Sequence, residues 1–518
     1  MNLTIIRSQL ESFELELSRE HLQHLVGIKE ELNSAPIYNK YPELFSLKNV
    51  KDVRKIVDGS SGLERRRNLY LLGALINSYL SEPLKELSDK RDTFEAKATV
   101  KVGKKDVAFR QIGVLISNTK SHAERKRLFA LSLPVKEKIM EFDKTMLEKE
   151  WELAAKTGFP DYTAAYSFVK ECDYERMADE MRRFLADTDI LYERLIKEAM
   201  ESIEVPLKNA EGFDISFWIR NPSFDPYFIK ENLVGSLKQT LNGFGFELDK
   251  QKNIELDVED RPQKVPRAFC MPLRVPEEVH LVIKPSGGQN DFKSLYHEAG
   301  HSEHYANSSA DLPFEFKHLG SHCVSETYAF TFEHIIMTRE WLKRQTEMDE
   351  NTVSDFLRFD MTVKLFFLRR YATKLLYELK LHRGDLARVD GAFSPTKGKP
   401  YKNMAECYAD MLSKAAKVKI HAINWASDVD GGYYSADYLR AWILEAQLKS
   451  YLKKTFGENW IENKKAGAFL QSLWKDGNQP SPIELSKQFG FKEISVDILT
   501  HEIMEFFKSA GYRKQPSC

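Results

Sequence analysis

The sequence is poor in cysteine and has no excess of charge of either sign. Five cysteines occur in 518 residues, with no CxxC pair among them; they are Cys172, Cys270, Cys323, Cys407 and Cys518. This scatter differs from that of a disulfide-rich secreted protein and indicates a reducing compartment. The 76 basic residues balance 77 acidic residues, which gives a net charge of -1. Nothing in this balance indicates binding to nucleic acid or to an anionic membrane.

Long apolar runs are also missing. No stretch approaches the ~20 apolar residues that a membrane-spanning helix needs. Residues 1–8 lack both an apolar run and the small-residue cleavage site of a secretory signal. We therefore expect a cytoplasmic protein without a membrane or nucleic-acid partner, and we take it to be a monomer. With 42% hydrophobic and 12% aromatic residues, the chain can still bury a large core.

Helical periodicity dominates the chain and predicts a mainly α fold. Met177, Met181 and Phe184 lie on one apolar stripe of the kind that packs into a core. A chain of 518 residues exceeds what one hydrophobic core usually supports, so two lobes are expected. The polar stretch 250–266 is the predicted boundary, and a loop is predicted at 391–399. The two expected units are an N-terminal helical lobe, residues 1–260, and a catalytic lobe, residues 261–518.

One short stretch has the alternation of a β-strand. Val279, Leu281 and Ile283 alternate with two other residues between Pro276 and the turn-forming residues 285–288. The free edge of such a strand can pair with an extended peptide backbone, which positions a substrate without reading its sequence. Val279 and Leu281 are therefore candidate substrate-binding residues. An ordinary small sheet without a substrate contact is the alternative.

The clearest chemical signal is the HExxH string of His297, Glu298 and His301. Two histidines four residues apart on a helix project from one face, within reach of one metal ion. Glu298 lies beside the first ligand, where its carboxylate can take a proton from an activated water. Such a string also arises by chance, so a third ligand is needed to support a metal site.

Glu326 is the candidate third ligand, 25 residues after His301. The turn-rich stretch 308–313 would end the first helix and allow an antiparallel return. The metzincin arrangement is excluded because its glycine and histidine positions are occupied by His304 and Asn307. With His297, His301 and Glu326 as ligands, one zinc ion per chain would keep a fourth position open for water, as catalytic zinc sites do.

Further groups are needed to stabilise the oxyanion of amide hydrolysis and to orient the ligands. Three tyrosines surround a Gly-Gly turn, of which Tyr438 is the first choice as oxyanion donor, Tyr433 the second, and Tyr434 a candidate substrate contact. His304 lies seven residues after His297, so it is a candidate for a substrate contact or for a hydrogen bond to a ligand. Glu333, seven residues after Glu326, is a candidate to orient a ligand.

The sequence HEAGHSEH at residues 297–304, followed by Glu326, resembles the M3 family of zinc oligopeptidases, which includes thimet oligopeptidase and oligoendopeptidase F. The angiotensin-converting-enzyme (M2) family is similar by the same spacing. The HExGHxxH form and the Gly-Gly-Tyr turn favour the M3 side. This resemblance implies a mostly helical, two-lobed fold with a small β-sheet beside the HExxH helix and a deep central channel that admits short peptides.

One position departs from both families. Their histidine before the helix-borne tyrosines would fall at Asp428 in an ungapped register, and the nearest histidine here is His421. The lysine that holds a substrate carboxylate in converting-enzyme relatives would fall near Ala426, which argues against a strict carboxydipeptidase.

The favoured hypothesis is a zinc-dependent metallopeptidase that hydrolyses peptide bonds in short oligopeptides, with zinc-activated water and Glu298 as general base. Two alternatives stay open. One is a catalytically silent peptide-binding protein on the same scaffold, and the other is a carboxydipeptidase-type exopeptidase.

Overall fold

The computed structural model describes residues 2–387, 389–390, 396–397 and 399–511. Cys518 and most of the loop predicted at 391–399 lie outside the described residues. Helices make up most of the described chain, and the mainly α prediction is confirmed.

The part before residue 250 is helical except for one hairpin. Its elements are α1 (Leu3–Leu25), α2 (Ala35–Lys40), α3 (Leu47–Asp58), α4 (Gly62–Ser81), α5 (Lys85–Lys97), β1 (Thr99–Val102), β2 (Lys105–Ala108), α6 (Phe109–Asn118), α7 (His122–Ala154), α8 (Tyr162–Val169), α9 (Tyr174–Ser202), α10 (Gly212–Arg220) and α11 (Leu233–Phe244).

The part after residue 250 begins with strands and returns to helices. Its elements are β3 (Ile254–Asp257), β4 (Phe269–Arg274), β5 (Glu278–Val282), α12 (Gln289–Ala306), α13 (His322–Glu333), α14 (Arg339–Gln345), α15 (Glu350–Arg383), β6 (Val389–Asp390), β7 (Thr396–Lys397), α16 (Met404–Ala416), α17 (Tyr434–Phe456), α18 (Lys464–Trp474), α19 (Pro482–Gln488) and α20 (Asp497–Ser509).

Polar caps and glycines set the ends of the long helices. The side chains of Asn2, Ser121 and Asp173 accept backbone N–H groups from the first turns of α1, α7 and α9. Gly245 and Gly384 end α11 and α15 in the left-handed conformation, with φ of 92° and 63°. These local signals set the starts of α1, α7 and α9 and the ends of α11 and α15.

A three-stranded sheet lies beside α12, in the order β3-β5-β4. The central strand β5 is parallel to β3 and antiparallel to β4. The strand predicted around Val279 and Leu281 is therefore present, but the prediction that it offers a free edge for substrate is wrong. Both of its edges are paired within the sheet, and the two side chains are 1% and 0% exposed. The edge strand nearest the site is β4.

A single large hydrophobic core runs through the described residues, from Ile6 to Phe507. It contains residues from both predicted lobes, and the boundary near residue 260 stays a prediction. A cavity of about 1160 Å³ opens between helices of the first half and elements of the second half, with β4, α12 and α17 among its walls. No helix among the described residues is long and apolar enough to cross a membrane.

Candidate active site

Two helices that cross at a glycine bring the three predicted metal ligands together. His297 and His301 lie on α12 and Glu326 lies on α13. At Gly300 the helices approach so closely that an added Cβ would be 2.5 Å from the carbonyl oxygen of Tyr328 and 2.7 Å from the Cα of Ala329. Only glycine permits this approach, which places the carboxylate of Glu326 in front of both imidazoles.

The ligand atoms of His297, His301 and Glu326 lie within 4.8 Å of one another. The Oε2 atom of Glu326 is 3.3 Å from Nε2 of His297 and 3.7 Å from Nε2 of His301. This oxygen is buried, and it has no hydrogen bond of suitable geometry within the described part of the chain. A buried carboxylate oxygen that faces two imidazole nitrogens fits a divalent cation such as zinc, which prefers these ligands.

Neighbouring side chains hold the far nitrogen of each imidazole. Nδ1 of His297 is 2.9 Å from Oε2 of Glu333, and Nδ1 of His301 is 2.7 Å from Oγ of Ser325. A histidine that donates through Nδ1 presents Nε2 with a free lone pair, as metal binding requires. Glu333 thus lies where the spacing suggested. Ser325 was not predicted, although its position next to Glu326 on α13 was a usable signal.

The charge states of the ligands also suit a cation. Burial alone would raise the pKa of Glu326, but the neighbouring His301 and His297 hold it at about 2. Burial lowers the pKa of His301 to about 4. Burial also disfavours the charged form of His297, but Glu326 and Glu333 outweigh it and raise its pKa well above 6.5.

Glu298 lies against the edge of β4. Its Oε2 atom accepts the backbone N–H of Cys270 at 2.8 Å. Burial raises the pKa of Glu298 to about 7. Glu298 lines the same cavity as the three ligands. A carboxylate held in this way can accept a proton near neutral pH. Its backbone partner left no signal in the sequence, because an N–H group is common to nearly all residues.

The three tyrosines after the Gly-Gly turn lie in different surroundings, and only Tyr434 and Tyr438 line the cavity. Tyr434 donates its hydroxyl to Oε1 of Glu326 at 2.7 Å, so it contacts a predicted ligand as well as lining the cavity. Tyr438 also lines the cavity, one helical turn further along α17. Burial raises the pKa of both hydroxyls well above 10, which keeps them protonated and able to donate.

The prediction of an oxyanion role for Tyr433 is wrong. Gly432 and Tyr433 both have positive φ, 63° and 57°, and this turn directs the Tyr433 side chain away from the cavity. The ring is 0% exposed, and its hydroxyl shares a hydrogen bond of 2.6 Å with Oγ1 of Thr163.

The prediction of a substrate contact for His304 is also wrong. The ring is fully buried against Tyr305 and Tyr328 and does not line the cavity. Its Nδ1 is 3.3 Å from Oγ of Ser325, the same hydroxyl that holds His301. The other role considered for His304, a hydrogen bond to a ligand, stays a prediction, because its contact is with Ser325 and not with a predicted ligand.

Asp428 does not replace the family histidine at the cavity wall. Its Oδ2 accepts hydrogen bonds of 2.6 Å from both Arg370 and Tyr408. Burial would raise the pKa of Asp428, but Arg370 and Lys374 hold it below its usual value. Asp428 itself does not line the cavity, whereas Arg370, Tyr408 and His421 do. The carboxylate thus fixes an arginine in the cavity wall.

Solved structures share this fold, although no model of a known protein family and no curated protein matches the sequence. A protein from Bacillus anthracis strain Ames, assigned as oligoendopeptidase F, superposes with a TM-score of 0.68 at 14% identity, over 96% of this chain and 88% of its own. A second structure assigned as oligoendopeptidase F gives 0.72 at 13% identity, over 97% and 91%. PZ peptidase A in complex with an inhibitor gives 0.72 at 13% identity, over 99% and 98%. The chain therefore has the fold of oligoendopeptidase F and PZ peptidase A over nearly its whole length, as the resemblance implied.

Proposed function

We propose that the protein is a zinc metallopeptidase of the M3 type that hydrolyses peptide bonds in short oligopeptides. The observation that carries the proposal is the convergence of His297, His301 and the buried, unpartnered Oε2 of Glu326 in the wall of a large cavity. The fold shared with oligoendopeptidase structures supports the same reaction class.

His297, His301 and Glu326 would hold the zinc ion. When bound, zinc supplies a Lewis acid that polarises the scissile carbonyl and acidifies a water molecule. Glu333 and Ser325 keep the imidazoles in the tautomer that binds a metal. Tyr434 holds the other oxygen of Glu326, so that Oε2 stays directed at the histidines.

Glu298 is the proposed general base, and it later returns the proton to the leaving amine. The N–H of Cys270 fixes one of its oxygens, and the other oxygen has no hydrogen bond to any described residue. Tyr438 is the proposed oxyanion donor because its hydroxyl stays protonated and its side chain lines the cavity. No hydrogen bond within the described residues occupies that hydroxyl.

The edge of β4 is the proposed site of substrate backbone pairing, in place of β5. Phe269, Cys270 and Pro272 line the cavity, and β4 has β5 as its sheet neighbour on one side only. An extended peptide can add to such an edge through main-chain hydrogen bonds. We also propose a cytoplasmic setting, supported by Cys172, Cys270 and Cys323, which form no disulfide within the described part of the chain.

The substitution Glu298→Gln tests the base. We expect the variant to keep its zinc content while its turnover of a quenched oligopeptide falls by roughly 10²–10⁴-fold. Glu303→Gln is a matched control on the same helix, because Glu303 is buried, contacts Gln251 and Asn307, and does not line the cavity. If Glu298→Gln hydrolysed the peptide as fast as the parent, the assignment would be wrong. Zinc-loaded parent protein that cleaved no member of a broad peptide library would instead favour the silent peptide binder.

A further inference from the structure

A second cavity lies behind the wall of the candidate active site. It has a volume of about 470 Å³ and is lined by parts of α1, α4 and α17, among others. His322 lines this cavity and Tyr434 lines the first one, and their rings are in contact with centroids 5.0 Å apart. The volume falls within the ~300–1,000 Å³ range of small-molecule sites.

Most charged side chains in this second cavity are already paired. Arg66 binds both carboxylate oxygens of Glu484, at 2.8 and 3.0 Å. Lys170 pairs with Asp437 at 2.5 Å, and Glu171 pairs with Arg65. These pairs balance one another in charge, although Nε of Arg66 has no hydrogen-bond partner among the described residues.

Arg440 is different. It lies on α17 and is 8% exposed, and its guanidinium group makes no hydrogen bond or ion pair with any described residue. A buried guanidinium group without a partner is costly, and its planar fork matches a carboxylate. Burial alone would lower the pKa of Arg440, but Cys172, Cys323 and Asp437 raise it, and the carboxylate of Asp437 bonds Lys170. The cavity therefore offers the unpaired N–H groups of Arg440 to an anionic group.

Glu14 supplies the opposite charge. It lies on α1, lines the same cavity and likewise has no hydrogen bond or ion pair to another described residue. Burial raises the pKa of its carboxyl group to about 7, so the charged form lacks a stabilising partner. Leu69, Ala74 and Val169 add apolar surface to the wall.

We propose that the second cavity binds a small zwitterion with an apolar side chain, namely a free amino acid or dipeptide. Its carboxylate would pair with Arg440, its ammonium group with Glu14, and its side chain would contact the apolar wall. That such ligands are products of this protein's own reaction rests on the proposed function, but the binding does not.

Calorimetry with the dipeptide Leu-Phe tests the proposal on the Glu298→Gln protein, in which turnover cannot interfere. We expect C-terminal amidation of the dipeptide and the substitution Arg440→Gln each to weaken binding by roughly 10- to 100-fold, the effect of removing a hydrogen-bonded charge. Applied together they should cost no more than either alone, because both remove the same contact. N-acetylation of the dipeptide and the substitution Glu14→Gln should each weaken binding by a similar factor, and together they should cost no more than either alone.

Two further variants guard against misfolding and against binding in the first cavity. Arg66→Gln is the matched control, since its arginine lines the same cavity but is already paired; it should bind like the parent. Gly73→Leu should abolish binding by filling the cavity, because Gly73 lines it and a Cβ there meets nothing closer than Val169 at 3.8 Å.

Three results would overturn the proposal. The first is no binding of Leu-Phe at millimolar concentration, and the second is an equal penalty for amidation in Arg440→Gln and in the parent. The third is saturation of the Arg440 site by chloride instead of the dipeptide, which would make it an inorganic anion site. Binding is measured without hydrolysis, so the absence of dipeptide binding would leave the proposed peptidase function standing. Equally, the absence of peptidase activity would leave the proposed dipeptide site standing.

Discussion

The substitution Gly300→Ala probes the crossing of α12 and α13 most directly. The new Cβ would lie 2.5 Å from the carbonyl oxygen of Tyr328, whereas ordinary contact begins at 3.4 Å. The carbonyl must therefore retreat by about 0.9 Å, several times the ~0.2 Å tolerance of a metal–ligand distance. Because Glu326 lies on the helix that must move, we expect zinc affinity to fall by at least tenfold. Chelator competition measures this directly.

The stability of the same variant can be separated into two contributions. Alanine is favoured over glycine inside a helix by about 1 kcal/mol, and overpacking costs about 1–3 kcal/mol. Gly73→Ala in α4 is the matched control, because the nearest atom to its Cβ is 3.8 Å away. This variant therefore gains the helix preference of alanine without a steric clash. Denaturant unfolding should therefore place Gly300→Ala below Gly73→Ala by about 1–3 kcal/mol. If Gly300→Ala matched the control in stability and the parent in zinc affinity, the close approach would not constrain the site.

Three other measurements follow from the structure. Removal of the Nδ1 partner of His297 by Glu333→Ala should weaken zinc binding by roughly 10–100-fold, as chelator competition would report; unchanged affinity would mean that the contact does not orient the ligand. An endopeptidase should cleave peptides blocked at both ends as it cleaves free ones, and mass spectrometry that found only free-ended peptides cleaved would support the exopeptidase alternative. Burial raises the pKa of Glu14 from 4.5 to about 7, so the folded state binds this proton more tightly than the unfolded state, and stability is lost as pH rises through that window. In urea unfolding, the parent should lose up to ~3 kcal/mol of unfolding free energy between pH 4.5 and 7.5, and Glu14→Gln should not. An equal loss in parent and variant would show that Glu14 is not the group with the raised pKa.

The two histidines proposed as metal ligands could be picked out because helical geometry places them locally. His297 and His301 share a face by spacing alone, and Glu333 lies two turns beyond Glu326, on the same face. The mainly α class followed from periodicity in the same way. Each of these inferences needs only one helix at a time, whereas the approach of Glu326 to the two histidines depends on the crossing of α12 and α13 at Gly300.

Two of the three errors arose where the answer depends on distant parts of the chain, and the third, on Tyr433, arose at a local turn. The free edge could not be assigned to β4 without knowing that β3 pairs with β5 across more than twenty residues. Tyr433 and Tyr434 are neighbours, yet two consecutive positive φ angles direct them into different surroundings. His304 lies on nearly the same helix face as His297 but further along α12, where its ring is buried against Tyr328 and does not reach the cavity.

The hydrogen bond from Cys270 to Glu298 joins two tasks in one peptide group. The N–H that holds the carboxylate belongs to the outer edge of β4, the same edge that lines the cavity. A peptide that docks on this edge therefore acts mechanically on the backbone that orients Glu298. A slip of β4 by one residue would turn this N–H inward and release the carboxylate. If β4 is the substrate edge and Glu298 the base, as proposed, substrate register and proton acceptor are coupled through one strand, and redesign of this edge for new substrates would also move the proposed base.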